Sequence, residues 1–598
     1  MSAERSFSIC WLLSLSVMLY CSCNPAVVDS EGPPNVLLIL TDDQGWGDVH
    51  SHGNDLIQTP SLDELAASGA EFERFFVSPV CAPTRASLLT GRYHQRTGVH
   101  GVTRGYETMR AEEVTMAEIF KAAGYATGCF GKWHNGAHFP QHPNAQGFDE
   151  FFGFCGGHWN NYFDTQLECN GELVKTKGFI TDVLTDAALQ FIEQQEQGPF
   201  FCYIPYNAPH SPWQVPPQYY EKYEALGMSG MLACAYGMVE NLDDNIRRLL
   251  DKLDELGLTR DTIVVFLTDN GPNSDRYNGG MRGRKGSLHE GGVRVPLFLS
   301  WPGHIRSGKK IDRVAAHIDL LPTLMELCDL ESEQTLSLDG VSLAPLLQGD
   351  DDDWEDRVLF NGWGGREVAP LRGAMRTQRW RAVKYGNWEL YDMLLDPHQT
   401  NDVAQENLDL VSEFENVYQD WFKDVTSNGF DPIPVAVGHP ERPSVILPGH
   451  EAFLHPAVGE GISYHREAGY ANDWIDNWVD IESYPYWELE VLAEGTYEIS
   501  LDYVCAAENL GSRIRIEVGD EHLDGTLTVA HDPAPIPSPD YVPRGEVYEK
   551  VWAVFKPGRM NLPKGRATLK VRALSRQGSK VVEVKGVTLT RFQEEVGE

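Results

Sequence analysis

The sequence has few cysteines, few basic residues and hardly any long apolar run. Its 598 residues include 11 cysteines, too few and too scattered for a disulfide-dense scaffold. Lysine and arginine together number 49 against 87 aspartates and glutamates, and the net charge of −38 argues against nucleic acid or an anionic membrane as a partner. No segment is long and apolar enough for a transmembrane helix, so we expect none.

The first 24 residues are predicted to be a signal peptide. The apolar run from Ile9 to Tyr20 follows Arg5 and is too short to span a bilayer. Export to the periplasm, the outer membrane or the extracellular space is the expected consequence. A lipoprotein leader, with Cys21 or Cys23 lipidated, is the alternative.

Eight cysteines follow this leader, and Cys155 and Cys169 are near enough in sequence to suggest a short disulfide loop. Cys81 stands out because it opens a helical stretch, CAPTRASLLTGRY (81–93), where unpaired backbone N–H groups stabilise an anion. A lone cysteine is more often a small buried hydrophobe than a nucleophile. The role of Cys81 therefore depends on the residues around it.

Short apolar runs alternate with helical patterns from Asn35 to about Ser300, which indicates βαβ units around a mostly parallel sheet. The runs NVLLIL (35–40) and TIVVFL (262–267) are short, continuous and rich in β-branched residues, as strands covered on both faces are. We therefore predict an α/β fold, with a mixed, mostly parallel sheet flanked by helices.

Two helices carry clear signals of their own. Thr115 and Glu118 form a capping box before an apolar stripe, and Gly124 is the expected stop. The stretch 236–256 has helical spacing and ends before a glycine. The acidic run DDDD (350–353) is interpreted as a solvated connection rather than a calcium loop, because like charges repel and stay in water.

The pattern changes in the last quarter of the chain. The composition turns to proline, glycine and histidine around 432–448, which predicts a linker. Beyond it, alternating segments separated by turn residues predict an antiparallel β-sandwich. These segments are TYEISLDYV, SRIRIEV, EKVWAVF, ATLKVRAL and VEVKGVTLTRF.

We accordingly predict a catalytic domain at 35–430, with a smaller subdomain from about residue 355, a linker at 431–448 and an all-β sandwich at 449–598. The sandwich carries aromatic residues that resemble, weakly, those of carbohydrate-binding modules. Burial of these rings in a core or an interface is the preferred alternative, because aromatic rings usually bury. The residues are Trp474, Trp478, Tyr484, Tyr486 and Trp487.

Polar side chains follow several predicted strands at the point where each strand ends. In open parallel sheets, ligands bind outside the carboxyl ends of the strands, so these side chains are expected to share one edge. The set comprises three acids, an amide, a lysine and two histidines: Asp42, Asp43, Asp269, Asn270, Lys132, His134 and His210.

The acids and the amide predict a metal site. Three carboxylates and an amide oxygen suit Ca²⁺ far better than zinc, and Mg²⁺ is the second choice. Asp and Asn after a strand also cap turns, but two matching exits, TDD and TDN, favour the metal. Asp42 and Asp43 both bind only if the backbone curls between them. Lys132, by contrast, supplies a point charge for an anion.

The motifs that contain these residues resemble those of a known protein family. CAPTRASLLTGRY resembles the sulfatase signature C-x-P-x-R with its trailing LTGR, in the alkaline-phosphatase-like superfamily, and the resemblance covers about Asn35 to Asn428. Other stretches are similar to further sulfatase blocks in the family's order. They are the DD after the first strand, GKWH (131–134), TDNG (268–271), RGRKGSLHEGGVRVP (282–296), DGVSLAPLLQGD (339–350) and LYDMLLDP (390–397).

The resemblance implies that a formylglycine-generating maturation enzyme oxidises Cys81 to Cα-formylglycine before folding. Pro83 and Arg85 belong to the recognised motif. The hydrated aldehyde then offers two geminal hydroxyls, one to attack sulfur and one whose deprotonation expels sulfate. The metal polarises the sulfate oxygen and favours the attacking alkoxide.

The resemblance also implies roles for the surrounding side chains. Arg85 holds the hydrate near the metal, and Lys132 and Lys285 bind sulfate oxygens. His134 takes the proton of the second hydroxyl. His210 and Lys285 contact the substrate and protonate the leaving alcohol.

The expected protein is an exported, calcium-dependent sulfatase acting on sulfated oligosaccharides or polysaccharides. A phosphonate monoester or phosphodiester hydrolase of the same superfamily is the enzymatic alternative, because relatives of that kind also carry a formylglycine motif. An inactive homologue that only binds glycans is the non-enzymatic alternative, and the complete set of site residues argues against it.

Overall fold

The computed structural model describes most of the chain. The predicted signal peptide, with Cys21 and Cys23, and the acidic run 350–353 lie outside the described residues. No helix within the described part is long and apolar enough to cross a membrane. The described ranges are 32–195, 198–331, 336–349, 354–364, 368–466 and 469–592.

A ten-stranded mixed sheet forms the centre of the molecule. Five adjacent strands in its middle are parallel, and antiparallel strands flank them. In spatial order the strands are Lys309–Ile311, Ala70–Phe72, Leu297–Ser300, Thr262–Thr268, Asn35–Thr41, Phe200–Pro205, Ala126–Lys132, Glu150–Phe154, Gln166–Cys169 and Glu172–Lys175.

The two strands predicted from continuous apolar runs lie side by side in this sheet. Asn35–Thr41 and Thr262–Thr268 pair in parallel, and every residue of both is buried. Separate hydrophobic clusters cover the two faces of the sheet, which is why these strands show no polar alternation. The predicted mostly parallel α/β fold is confirmed.

Helices pack on both faces of the sheet. The capping box of Thr115 and Glu118 is present, and Gly124 follows the helix end with a φ of 88°. The helices are Pro60–Ser68, Cys81–Thr90, Met116–Ala122, Ile180–Gln194, Pro217–Ala225, Gly230–Glu255, Glu290–Val293, Leu320–Leu327, Ala344–Gln348 and Leu408–Val425.

The helix predicted from residue 236 begins six residues earlier, at Gly230. Glycine disfavours a helix, so Gly230 and Gly237 weaken the helical pattern and the first turns of this helix are not predicted from the sequence. In the structure Gly237 permits a close approach of the neighbouring helix, because a Cβ there would lie 3.2 Å from the carbonyl carbon of Tyr219. Tertiary packing therefore overrides the local glycine signal.

Two smaller sheets adjoin the central one. A three-stranded sheet contains Arg294–Val295, Phe75–Phe76 and Ala315–Ala316. A four-stranded antiparallel sheet shares a hydrophobic cluster with the helix Leu408–Val425. Its strands are Leu359–Gly362, Arg372–Arg376, Trp380–Tyr385 and Asn387–Asp392.

Two sheets packed around one core form the C-terminal sandwich. The first contains Val435–Val437, Tyr484–Val491, Gly565–Ser575, Arg513–Val518 and Glu521–Thr526, with Phe453–His455 paired to Tyr484–Val491. The second contains Ser463–Tyr464, Ile475–Asp476, Glu583–Arg591, Gly495–Val504 and Ala553–Leu562, with Ser444–Pro448 paired to Glu583–Arg591.

The segment 431–448 is not a free linker, contrary to the prediction. It contributes Val435–Val437 to the first sheet of the sandwich and Ser444–Pro448 to the second. Proline and glycine in this segment end short edge strands rather than marking an unstructured connection. The sandwich therefore begins before residue 449.

The tryptophans considered for sugar stacking are core residues. Trp474, Trp478 and Trp487 are at most 1% exposed, and the indole N–H of each donates a hydrogen bond inside the protein. Tyr484 and Tyr486 are half-buried and stack on His455 and Phe453 of the adjacent strand. The prediction that these aromatic rings are buried in a core is therefore confirmed for the three tryptophans.

The suggested disulfide is absent. Cys155 and Cys169 are both free thiols, as are the other cysteines of the described residues. Cys155 instead lies beside His142 and Glu168, whose side chains are hydrogen-bonded at 2.7 Å.

Candidate active site

Cys81 lies in a cluster of charged side chains at the carboxyl ends of the central strands. Cys81 is the first residue of a helix whose ten residues are all buried. Its sulfur and carboxylate oxygens of Asp42 and Asp269 lie within 4.8 Å of one another. Asp42 follows the strand Asn35–Thr41 directly, and Asp269 follows its neighbour in the sheet.

The backbone curls after the first strand, as binding by two consecutive aspartates requires. Asp43 has a φ of 64°, in the left-handed region that side chains other than Gly, Asn and Asp rarely adopt. This turn brings oxygens of Asp42 and Asp43 and a ring nitrogen of His210 within 4.8 Å of one another. The backbone N–H of Asp43 also donates to Asp269 Oδ1 at 3.1 Å.

Three cationic side chains face the three carboxylates. Lys132 Nζ lies 2.5 Å from Asp42 Oδ2, and Lys285 Nζ lies 2.7 Å from Asp43 Oδ1. The guanidinium of Arg85 donates to Asp269 Oδ2 at 2.9 Å and to the backbone carbonyl of Lys132 at 2.8 Å. Arg85 thus orients an acid of the cluster, and it ties the Cys81 helix to the GKWH strand.

The oxygen atoms of this cluster fit a hard divalent cation. Asp42 Oδ1 and Asn270 Oδ1 are both buried without a hydrogen-bond partner. Burial and the neighbouring Asp42 carboxylate raise the pKa of Asp269, so the carboxylates repel one another here. A cation held among Asp42, Asp43, Asp269 and Asn270 would relieve that repulsion and would satisfy the two unpartnered oxygens.

The thiol of Cys81 is poorly suited to direct nucleophilic attack. Burial raises its pKa above the ordinary cysteine value, although Lys132 and Lys285 oppose the shift. The group is therefore protonated near neutral pH, and a thiol is a weak nucleophile compared with its thiolate. The position at a helix N-terminus does not outweigh burial.

His134 presents one ring nitrogen as a proton acceptor. Its Nε2 lies 2.9 Å from the carbonyl oxygen of Val102, which only accepts, so Nε2 carries the hydrogen. Its Nδ1 is buried without a partner. Burial, reinforced by the charge of Lys132, holds the pKa of His134 well below its usual value. A neutral imidazole with a free Nδ1 is equipped to accept a proton.

The position of His134 depends on Gly157. A Cβ added at Gly157 would lie 2.6 Å from His134 Nε2. We expect Gly157→Ala to displace the ring and to lower kcat by about 100-fold, the cost of misplacing a reacting group by roughly 1 Å. Gly156→Ala is the matched control, because its Cβ would meet only ordinary contacts at 3.4 Å. Equal kcat values for both variants would contradict this dependence.

His210 lies at the rim of the cluster. Its Nδ1 donates to the carbonyl of Ser211 at 2.7 Å, and its Nε2 lies 3.6 Å from Asp43 Oδ2. The hydroxyl of Tyr162 donates to the carbonyl oxygens of His210 and Ser211, both at 2.9 Å, and so supports this loop. The structure therefore brings all ten residues proposed from the sequence to one edge of the sheet.

Two further polar residues lie at this edge, and the sequence analysis assigned a role to neither of them. Asn207, two residues after the strand Phe200–Pro205, is buried with both amide atoms unpartnered. His158 follows the strand Glu150–Phe154 and lies in ring contact with His210, their centroids 6.1 Å apart. The same rule that located the other residues, polar side chains after parallel strands, extends to both.

Two protein-family models match this chain. The family model "Sulfatase" matches residues 34–330, and "N-sulphoglucosamine sulphohydrolase, C-terminal" matches residues 284–421. Neither match extends into the C-terminal sandwich.

Two relatives and one solved structure illustrate the similarity. N-acetylgalactosamine-6-sulfatase of Mus musculus is 34% identical over 397 residues, covering 60% of this chain and 74% of that protein. Arylsulfatase A of Bos taurus is 34% identical over 388 residues, covering 57% and 71%. The crystal structure of Ps i-CgsB in complex with k-i-k-neocarrahexaose superposes with a TM-score of 0.63 and 30% identity, covering 67% of this chain and 95% of that one. The chain belongs to the sulfatase family, whose members named here are sulfuric ester hydrolases.

Proposed function

We propose that this protein hydrolyses sulfate esters of a sulfated carbohydrate, with the residue at position 81 as the reacting group. The observation that carries the proposal is the placement of Cys81 among three carboxylates and three cations at the strand ends. Relatives named for N-acetylgalactosamine-6-sulfate chemistry and a neighbour bound to k-i-k-neocarrahexaose support a carbohydrate substrate.

Calcium is the proposed metal, with magnesium as the alternative. Asp42, Asp43, Asp269 and Asn270 would hold it, because oxygen-only donor sets suit these ions. When bound, it acts as a Lewis acid that polarises a sulfate oxygen.

Cys81 is proposed to be converted to formylglycine by a maturation enzyme. The raised pKa of the thiol makes unmodified cysteine a poor nucleophile, which supports the conversion. The apolar run at residues 9–20 supports export of the protein.

The charge balance of the cluster favours an anionic substrate. The carboxylates of Asp42, Asp43 and Asp269 are offset by three cations, so a divalent ion would leave the pocket positive. The cations are Arg85, Lys132 and Lys285. A sulfate ester carries the matching negative charge.

The remaining side chains are proposed to bind sulfate and to transfer protons. Lys132 and Lys285 are proposed to bind sulfate oxygens as point charges. His134 accepts a proton at Nδ1 from the group at position 81. His210, when its ring carries both protons, and Lys285 donate a proton to the departing alcohol oxygen.

Release of inorganic sulfate from defined substrates tests the proposed function. The panel contains N-acetylgalactosamine 6-sulfate, k-i-k-neocarrahexaose, 4-nitrophenyl sulfate, a phosphodiester and a phosphonate monoester. We expect sulfate release from at least one carbohydrate, at a kcat/KM well above that for the phosphorus esters. Preference for the phosphonate or phosphodiester would overturn the assignment.

His210→Ala should slow the hydrolysis of a sugar sulfate far more than the hydrolysis of an aryl sulfate. A sugar alkoxide needs a proton as the S–O bond breaks, whereas nitrophenolate hardly does, so kcat on the sugar should fall about 10²- to 10⁴-fold and kcat on 4-nitrophenyl sulfate should change little. Lys285→Ala should harm both substrates, because it also binds sulfate. Equal losses on both substrates for His210→Ala would remove His210 from the acid role.

A further inference from the structure

The loop of the C-terminal sandwich that contains Gly469, Tyr470 and Asn472 lies against the active-site edge of the catalytic sheet. The hydroxyl of Thr103 donates to the carbonyl of Gly469 at 3.0 Å, and the amide of Asn472 donates to the carbonyl of His158 at 2.9 Å. Lys585, on a central strand of the sandwich, donates to the carbonyl of Asn472 at 2.8 Å. The loop is thus fixed to both parts of the protein.

A second contact holds the sandwich in this position. Asn160, two residues after His158, donates its side-chain amide to Glu549 at 2.6 Å. The guanidinium of Arg544 donates to the carbonyl of Asn160, and the hydroxyl of Ser211, next to His210, donates to Glu546. The sandwich is therefore hydrogen-bonded to the loops that contain His158 and His210.

The chain of rings from His210 leads to the sandwich. His158 stacks against His210, and it meets Tyr470 edge-on with the centroids 6.1 Å apart. His158 is only 7% exposed, and its Nε2 is buried without a hydrogen-bond partner. An unpartnered nitrogen in such a place has spare hydrogen-bonding capacity for a ligand.

Tyr470 itself is open to solvent. It is 48% exposed, and within the described part of the sandwich only Phe592 is a comparably exposed Phe, Tyr or Trp side chain. Phe592 follows the strand Glu583–Arg591, whose first residue is hydrogen-bonded to Trp474 near the loop. Eight residues of extended chain, roughly 26 Å, separate the two ends of that strand. Of the two exposed rings, Tyr470 is the one beside the active site.

We propose that the C-terminal sandwich forms one wall of the substrate cleft, with Tyr470 packing on a pyranose ring and His158 Nε2 bonding a sugar hydroxyl. The inference rests on the proposed function, and it concerns how the sugar is recognised. Tyrosine suits this task because its ring presents a rigid apolar face while its hydroxyl stays in water. Loop anchoring by Thr103 and Asn472 holds the ring ready before substrate binds, which lowers the entropic cost of recognition.

The steady-state kinetics of Tyr470→Ala test this inference. Using the better of N-acetylgalactosamine 6-sulfate and k-i-k-neocarrahexaose, we expect KM to rise about tenfold with kcat nearly unchanged, because the ring binds substrate and transition state alike. The inhibition constant of inorganic sulfate should not change, since sulfate has no sugar ring. Tyr470→Phe keeps the ring and should restore the wild-type KM.

Phe592→Ala is the matched control, an exposed aromatic of the same sandwich at the far end of a strand, and its KM should equal that of the wild type. An unchanged KM for Tyr470→Ala would overturn the inference while leaving the proposed function intact. A parallel rise in the inhibition constant of sulfate would also overturn it, because that result indicates general distortion of the site. A wild-type protein that releases no sulfate from any carbohydrate would overturn both.

Discussion

Asp269→Asn should abolish binding of the proposed metal and the activity together. Asp269 shares the cluster with Asp42 and Cys81 and is hydrogen-bonded by Arg85 and by the backbone of Asp43. Loss of one carboxylate weakens a site for a hard cation, and Lewis-acid assistance contributes several kcal/mol to the transition state. We expect kcat/KM for sulfate esters to fall about 10³-fold or more, at 1.36 kcal/mol for each factor of ten.

Elemental analysis of the purified variant measures the metal directly. The asparagine retains an oxygen for Arg85, which avoids the unpaired buried charge that an alanine would leave. Asp275→Ala is the control for a simple change of charge, because that side chain is 94% exposed. Metal content equal to that of the wild type in Asp269→Asn would show that the negative charge of Asp269 is not needed to hold the metal.

His134→Ala should stop turnover after the first reaction cycle. The free Nδ1 of His134 is the proposed acceptor of the proton whose removal regenerates the reacting group. Without it, 4-nitrophenyl sulfate should give about one equivalent of nitrophenol per enzyme, followed by a steady rate lower by about 10²- to 10⁴-fold. Rapid-mixing kinetics of nitrophenol release measure the burst and the steady rate separately.

Added imidazole provides the control for this variant. The side-chain cavity left by His134→Ala lies beside Gly157, so a free imidazole can replace the missing ring. We expect imidazole to restore part of the steady rate without changing the size of the burst. A uniform loss of both phases, with no rescue, would indicate that His134 has a structural role instead.

The sequence predicts the central sheet and most of the site because both depend on local signals. Continuous apolar runs identify strands covered on both faces, and the sheet rule then places Asp42 and Asp269 side by side. Binding by both Asp42 and Asp43 requires the backbone to curl between them, and the left-handed turn at Asp43 provides this curl. Lys285 needed the family resemblance, because it reaches the cluster from a loop rather than from a strand end.

Other features depend on contacts between distant parts of the chain. Strand pairing at 431–448 is set by partners more than 50 residues further along, at 489–491 and 586–590, so local composition indicates only a linker. The burial of Trp478 and Trp487 depends on two sheets packing together. The contact of Tyr470 with His158 joins residues 312 positions apart, and no local pattern encodes it.

The proposed chemistry depends on the residue at position 81, and mass spectrometry of the tryptic peptide FFVSPVCAPTR tests it most directly. Cleavage after Arg74 and Arg85 releases this peptide intact. In protein that releases sulfate, we expect the peptide to have lost one sulfur and two hydrogens and gained one oxygen at Cys81, the composition of formylglycine. A fully active preparation in which every copy of the peptide retains cysteine would contradict the account.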